Sequence, residues 1–246
     1  MKREIGILLA AVAVLASGCD KDSIPIRTTS AGEANVSPAA DSADARGHAM
    51  VRVVNAVQGG KDVAVRMGDL TLFADVKAGS VTDYREVTNN LATFSVRDST
   101  AGDGRMVSKN DEVLMDGNRY TVFLIAEDVA TSVLRVVRDD VVPDSGKAHL
   151  RVVHAAPGAP SVDVIIAGAT DPLFSGVELK EAAGFKDVEP AKVTLEVRAE
   201  GRPEVLLRIP GVDLKRGTST TVVLTGSDKL RAFKFADAVM APTPKV

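Results

Sequence analysis

The sequence predicts an all-β protein, two tandem immunoglobulin-like β-sandwich domains that follow an N-terminal signal peptide and a flexible linker. Valine is abundant and aromatics are few, with 7 Phe, 2 Tyr and no Trp, and β-branched side chains fit a pleated, half-buried surface better than a helix. The second half of the chain repeats the first. Inside each copy the apolar residues recur with a period of two, as they do along half-buried strands.

The N-terminus reads as a targeting segment. Lys2 and Arg3 precede an apolar run from Ile5 to Ala16, which is shorter than the ~20 residues needed to span a bilayer and suits a signal peptide. The stretch Leu15-Ala16-Ser17-Gly18-Cys19 resembles the lipobox of bacterial lipoproteins, although Leu stands one position further from the cysteine than in the commonest pattern. The resemblance implies cleavage before Cys19 and acylation of its thiol and new amine, which makes the lipid bilayer the first expected partner. Several acyl chains are needed because one alone binds a membrane marginally. Cys19 is the only cysteine in the chain, so an exported protein is left with no thiol to pair. Asp20 resembles the signal that retains enteric-type lipoproteins at the inner membrane. The expected location is therefore the periplasmic face of that membrane, or the outer membrane or cell surface in a lineage without the rule.

Residues 1–18 are thus assigned to the signal peptide and 19–47 to the lipidated N-terminus and tether. The tether is rich in Ser, Ala, Asp and Pro and too poor in large apolar groups to repay the entropy of ordering. As a flexible coil it spans on the order of 30 Å.

The repeat then opens. Arg52-Val53-Val54-Asn55 corresponds to Arg151-Val152-Val153-His154, and Leu72-Phe73 to Leu173-Phe174. Tyr84 corresponds to Phe185, Phe94-Ser95-Val96-Arg97 to Leu195-Glu196-Val197-Arg198, and Thr121-Val122 to Thr221-Val222. Two domains of ordinary size follow, residues 48–141 and 147–239, with a short tail at 240–246. Short alternating runs predict strands near Ala64–Met67, Leu91–Arg97, Tyr120–Ala126, Ser132–Arg138, Val162–Ile166, Val205–Ile209, Thr220–Thr225 and Leu230–Phe235. Gly, Pro, Asp and Asn punctuate them, and many short strands with such turns point to a sandwich. The stretch Asp98–Glu112 predicts a solvated hairpin tip. Its acids, Asp98, Asp103, Asp111 and Glu112, match no calcium-loop spacing.

Arg151–Gly168 and Leu173–Gly201 together resemble domain-of-unknown-function family 4397. The match is close in the second copy and looser in the first, where Asn55 replaces the His and Ala64 stands at the position of Asp163. The resemblance implies an exported, tethered β-sandwich module that occurs in tandem and has no assigned activity.

Catalytic signals are weak. His149 and His154 lie an odd number of residues apart, so in one strand they face opposite ways and cannot share a metal. His154 shares a face with Leu150 and Val152, and Asn55 at its position in the first copy can donate a similar bond but cannot titrate, so a backbone-bonding role is expected. Speculative binding is assigned to His154 and Asp163. Arg52 and Arg151 are expected to lie across a neighbouring strand with stem packed and head paired. No catalytic residue, metal or cofactor is expected, and the scattered Lys and Arg leave no footprint for nucleic acid.

The expected function is a membrane-anchored, non-enzymatic binding or structural module that contacts an envelope protein, a glycan or the cell wall. Two alternatives are a cell-envelope hydrolase or metal-dependent enzyme using a site near His154 and Asp163, and a passive spacer. Replacing the lipidation site, Cys19→Ser, is expected to leave an unacylated precursor that retains residues 1–18, read directly from the intact mass of the membrane-extracted protein.

Overall fold

Alternating residues become strands in both copies. The first copy contains β1 (His48–Asn55), β2 (Val63–Met67), β3 (Leu70–Val76), β4 (Ser80–Val81), β5 (Arg85–Thr88), β6 (Leu91–Asp98), β7 (Met106–Val113), β8 (Arg119–Ala126) and β9 (Ser132–Arg138). The second contains β10 (Ala148–Ala155), β11 (Val162–Ile166), β12 (Phe174–Val177), β13 (Lys186–Val188), β14 (Ala191–Ala199), β15 (Val205–Leu214), β16 (Thr218–Thr225) and β17 (Arg231–Ala238). The structure is a computed structural model that describes residues 47–88, 91–98, 106–127, 131–139, 143–144 and 146–238. Cys19, Asp20 and the tether before residue 47 lie outside the described residues.

Each copy is a two-sheet sandwich. In the first, β3-β2-β6-β7 faces a sheet in which β1 pairs with β8 and β8 with β9, while β4 and β5 both pair with the other edge of β1. In the second, β12-β11-β14-β15 faces β13-β10-β16-β17. β1 runs parallel to β8, and β10 parallel to β16. A parallel pair therefore occupies the centre of one sheet in each sandwich, where the immunoglobulin arrangement pairs its strands antiparallel.

The two cores use equivalent positions. Val51, Val53, Val65, Phe94, Val96, Val122 and Leu124 pack in the first. Leu150, Val152, Val164, Leu195, Val197, Val222 and Leu224 pack in the second.

A third apolar cluster joins them. Val54, Ala56, Phe123 and Ile125 of the first copy pack with Val153, Ala155 and Val223 of the second, flanked by Phe233 and Phe235. These residues alternate with the core residues along the same strands, so β1, β8, β10 and β16 are buried on both faces. Their sequences are accordingly near-continuous apolar runs. The arrangement is four layers deep, with two inner sheets packed face to face and two outer sheets toward solvent. Thr225 Oγ1 donates to the carbonyl of Ala56 at 2.6 Å across this seam, and Lys180 pairs with Glu127 at 2.6 Å on its rim.

One segment departs from the sequence expectation. Ser108–Glu112, expected in a hairpin tip, belongs to edge strand β7 and pairs with β6 from Met106 to Val113. Ser108, Asn110 and Glu112 are half-buried and Lys109 and Asp111 exposed, so the alternation is present but is carried by polar residues. A hydropathy pattern cannot display it.

Phe123 is fully buried between the inner sheets. Phe123→Ala is expected to cost about 3–5 kcal/mol, measured by urea denaturation, although the side chain belongs to neither sandwich core.

Candidate functional site

His154 lies at the end of β10 on the side of its own sandwich core, fully buried. Its Nε2 donates to the carbonyl of Pro160 at 3.0 Å, and its Nδ1 accepts from the backbone N–H of Ala156 at 3.3 Å. A carbonyl can only accept and a backbone N–H can only donate, so these partners select the neutral tautomer with hydrogen on Nε2. Burial pushes its pKa below the ordinary histidine value, opposed by the Pro160 bond and the charge of Glu181.

Asn55 reproduces the pattern in the first copy. Its Oδ1 accepts from Val57 N–H at 3.2 Å, two residues on, as His154 accepts from Ala156. Its Nδ2 donates to the carbonyls of Lys61 at 3.3 Å and Val76 at 3.2 Å. Both side chains tie a strand end to the loop that follows it.

Asp163 on β11 accepts from Gly176 N–H and Gly201 N–H, each at 2.9 Å. Its two oxygens thereby hold two turns against the outer sheet. Gly176 and Gly201 sit at φ of 62° and 65°, a region glycine enters without strain. Among the described residues no hydrogen bond joins His154 to Asp163. His149, facing the opposite way, stacks on Phe185 at 5.2 Å and contacts Asp187 at 3.0 Å.

A larger polar cluster lies between the two inner sheets. Arg52 is only 3% exposed and Arg151 2%. Arg151 reaches Asp139 at 2.7 Å, and Arg52 lies 3.8 Å from the same carboxylate. The Tyr84 hydroxyl donates to Asp139 at 2.9 Å, and the hydroxyl of Thr121 donates to the same carboxylate oxygen. Each arginine also bonds the threonine opposite it on the parallel neighbour, Arg52 to Thr121 at 2.8 Å and Arg151 to Thr221 at 3.1 Å.

Each guanidinium has a ring from each copy beside it. Arg52 lies over Tyr84 of the first copy at 4.5 Å and Phe235 of the second at 4.6 Å. Arg151 lies over Phe185 of the second copy at 4.3 Å and Phe123 of the first at 5.6 Å. Burial pushes the Arg151 pKa down from the ordinary arginine value, and the charge of Asp139 opposes the shift. The head groups are paired, as the sequence suggests, but the opposing sandwich rather than solvent covers them. The signal that could have revealed this is the shared Arg-Val-Val in the two strands, with an apolar residue following on the same face as each Arg.

The remaining clusters are less organised. Asp98 pairs with Lys61 at 2.6 Å, Asp111 accepts from Thr93 at 2.5 Å, and Asp103 lies outside the described residues. No group of three or more His, Cys, Asp or Glu among the described residues could hold a metal. A shallow cleft of about 250 Å³ opens where the loops of the two copies meet, lined by Gln58, Gly59, Pro157, Gly226 and Ser227 among others. A Cβ added at Gly158 would fall 1.7 Å from the carbonyl oxygen of Ser227, so glycine there permits the close approach of two loops.

The chain is thus a double β-sandwich in which His154, Asn55 and Asp163 hold turns and Arg52, Arg151 and Asp139 meet between the inner sheets. The family described as domain of unknown function (DUF4397) matches residues 49–165 and 148–245, and the chain belongs to this family. No curated protein matches the chain. Similar solved structures include a candidate cell adhesion protein from Bacteroides uniformis ATCC 8492, 11% identical with a TM-score of 0.27. Another is CBMbc, of family CBM26, from Eubacterium rectale Amy13K in complex with maltoheptaose, 13% identical with a TM-score of 0.22. Each alignment covers 78% of this chain and 99% of the other. At such low TM-scores the chemistry of those proteins does not transfer to this one.

Asp139→Asn should destabilise the protein by about 3–5 kcal/mol, because it removes the carboxylate from a buried guanidinium. In urea denaturation the double change with Arg151→Met should then cost less than the two single changes summed.

His154→Asn should stay within about 1 kcal/mol of the parent, whereas His154→Leu leaves buried partners unsatisfied and should cost about 1–3 kcal/mol. Since the folded-state pKa of His154 lies below its unfolded value of 6.5, the unfolded state takes up more protons as the pH falls beneath 6.5. This contribution to stability is present above that pH and is lost as the pH drops through the folded-state pKa. A parent protein with no more acid sensitivity than His154→Asn in the same titration would contradict this.

Proposed function

We propose that this protein is a lipid-anchored, non-enzymatic module of the cell envelope that contacts a protein, a glycan or the cell wall. The observation that carries this reading is the bonding of His154 and Asp163. Both ring nitrogens of the one and both carboxylate oxygens of the other are engaged by backbone groups of neighbouring loops. General acid–base work needs a proton-transferring atom within reach of substrate, and these atoms are committed to holding turns.

Acylation at Cys19 and retention at the inner membrane through Asp20 belong to the same proposal and rest on the N-terminal pattern. Pairing of the inner sheets also supports it. With those faces covered, the outer sheets and the loop ends are the surfaces on which a partner can be met.

Photo-crosslinking from the outer sheet β12-β11-β14-β15 in intact cells, followed by identification of the captured material, tests the binding function. One recurrent envelope component is the expected result, and empty captures would favour a passive spacer. Density-gradient separation of the membranes tests sorting. Inner-membrane recovery is expected, with a shift to the outer membrane for Asp20→Ser, and recovery of the parent in outer-membrane fractions alone would overturn retention.

A further inference from the structure

The two copies share a fold but differ at one end of the outer sheet. In the first copy Leu91 and Val113 are directly opposed on β6 and β7 and are 68% and 61% exposed. Met115, just beyond β7, is 59% exposed, and Leu70 at the tip of the β2-β3 hairpin is 60% exposed. Gly68 of that hairpin donates to the carbonyl of Thr93, so its tip lies beside the start of β6.

The equivalent positions of the second copy are all charged. Aligning Phe94 with Leu195 places Lys192 at the position of Leu91. Asp213 opposes Lys192 in the strand register as Val113 opposes Leu91. The buried pair Leu114 and Leu214 then equates Met115 with Lys215, and Leu72-Phe73 with Leu173-Phe174 equates Leu70 with Asp171. All four replacements are exposed, and Asp213 and Lys215 pair at 3.4 Å. The sandwich itself does not require apolar residues at these positions, since the second copy folds with charges there.

The apolar end of the first copy is also the end at which the chain arrives from the N-terminal side. Gly117 N–H donates to the carbonyl of His48 at 2.8 Å, and His48 N–H donates to Asp116 at 2.9 Å. The described chain therefore begins against the loop that carries Met115. Residues 20–46 precede it in the sequence.

We propose that Leu70, Leu91, Val113 and Met115 form a lipid-contacting tip that seats the first copy on the bilayer surface. The proposal rests on the lipid anchoring proposed above. Exposed apolar groups grouped on one end mark an interaction surface, and shallow insertion at a membrane interface is one way to bury them. The charges around the tip have both signs, with Asp69, Glu112 and Asp116 near Arg66 and Arg119. Contact is therefore through apolar insertion rather than attraction to anionic headgroups, and its salt dependence is small.

The absence of tryptophan from the chain supplies the test. Full-length protein purified from membranes is reconstituted as the single-tryptophan variants Leu91→Trp and Lys192→Trp in vesicles of phosphatidylethanolamine and phosphatidylglycerol containing brominated lipid. Tryptophan at position 91 is expected to be quenched at least twofold more than at position 192, with little change between low and high salt. Adding Val113→Asp and Met115→Lys, the residues of the second copy, should abolish the difference.

Equal quenching at the two positions overturns the proposal. So does a dimer in sedimentation that Leu91→Lys dissociates, which assigns the tip to a second copy of the chain. The intact mass of the same sample reports acylation at Cys19. Acylated protein with equal quenching overturns only the tip, and unacylated protein overturns only the anchor, since quenching at position 91 after mixing with the same vesicles still decides the tip.

Discussion

Apolar residues on both faces of the inner sheets are the constraint on which the rest of the structure depends. Val51 and Val53 fill the core of the first sandwich while Val54 on the same strand faces the other way, and Val152 and Val153 divide in the same manner in the second copy. A sheet with one apolar face can leave the other in water, whereas a sheet with two must be covered twice. Tandem duplication supplies the second cover, because each copy presents the surface the other needs.

Shape alone leaves two apolar sheets free to shift against each other. The cluster of Asp139, Arg52 and Arg151 opposes sliding, since charge-assisted bonds have narrow geometry and buried guanidiniums tolerate few alternatives. Rings from both copies flank each arginine, so the polar centre and the apolar surround specify the same register. The loop ends are governed separately by His154 and Asn55, two different side chains with the same acceptor and donor placement.

Much of the fold was legible in residue patterns. The apolar period of two located β2, β6, β8, β9, β11, β16 and β17 to within a few residues and the first half of β15, and the repeat revealed that there are two sandwiches. β7 escaped because its half-buried residues are Ser108, Asn110 and Glu112. β3, β4, β5, β12 and β13 are short or irregular, and their pairing is decided by the strands beside them. At the candidate site, the strand-end position of His154 and its kinship with Asn55 were visible in the alignment of the copies. Asp163 was visible through the family resemblance, with Ala64 at its position in the first copy, but its role was not. Its bonds to Gly176 and Gly201 join segments far apart in sequence, and no local pattern records such contacts.

By itself the sequence determined the β class, the duplication, the alternation that sorts core from surface, and the N-terminal pattern ending at Cys19. These are local properties, set by propensity, period and short motifs. Tertiary structure alone decided that the sandwiches bury a face against each other, that Arg52 and Arg151 lie inside rather than at the surface, and that Asp139 in the connecting segment lies beside both. The physical reason is that burial belongs to a surface and its cover together. An arginine in an apolar strand has the same neighbours in sequence whether water or a second sheet lies above it.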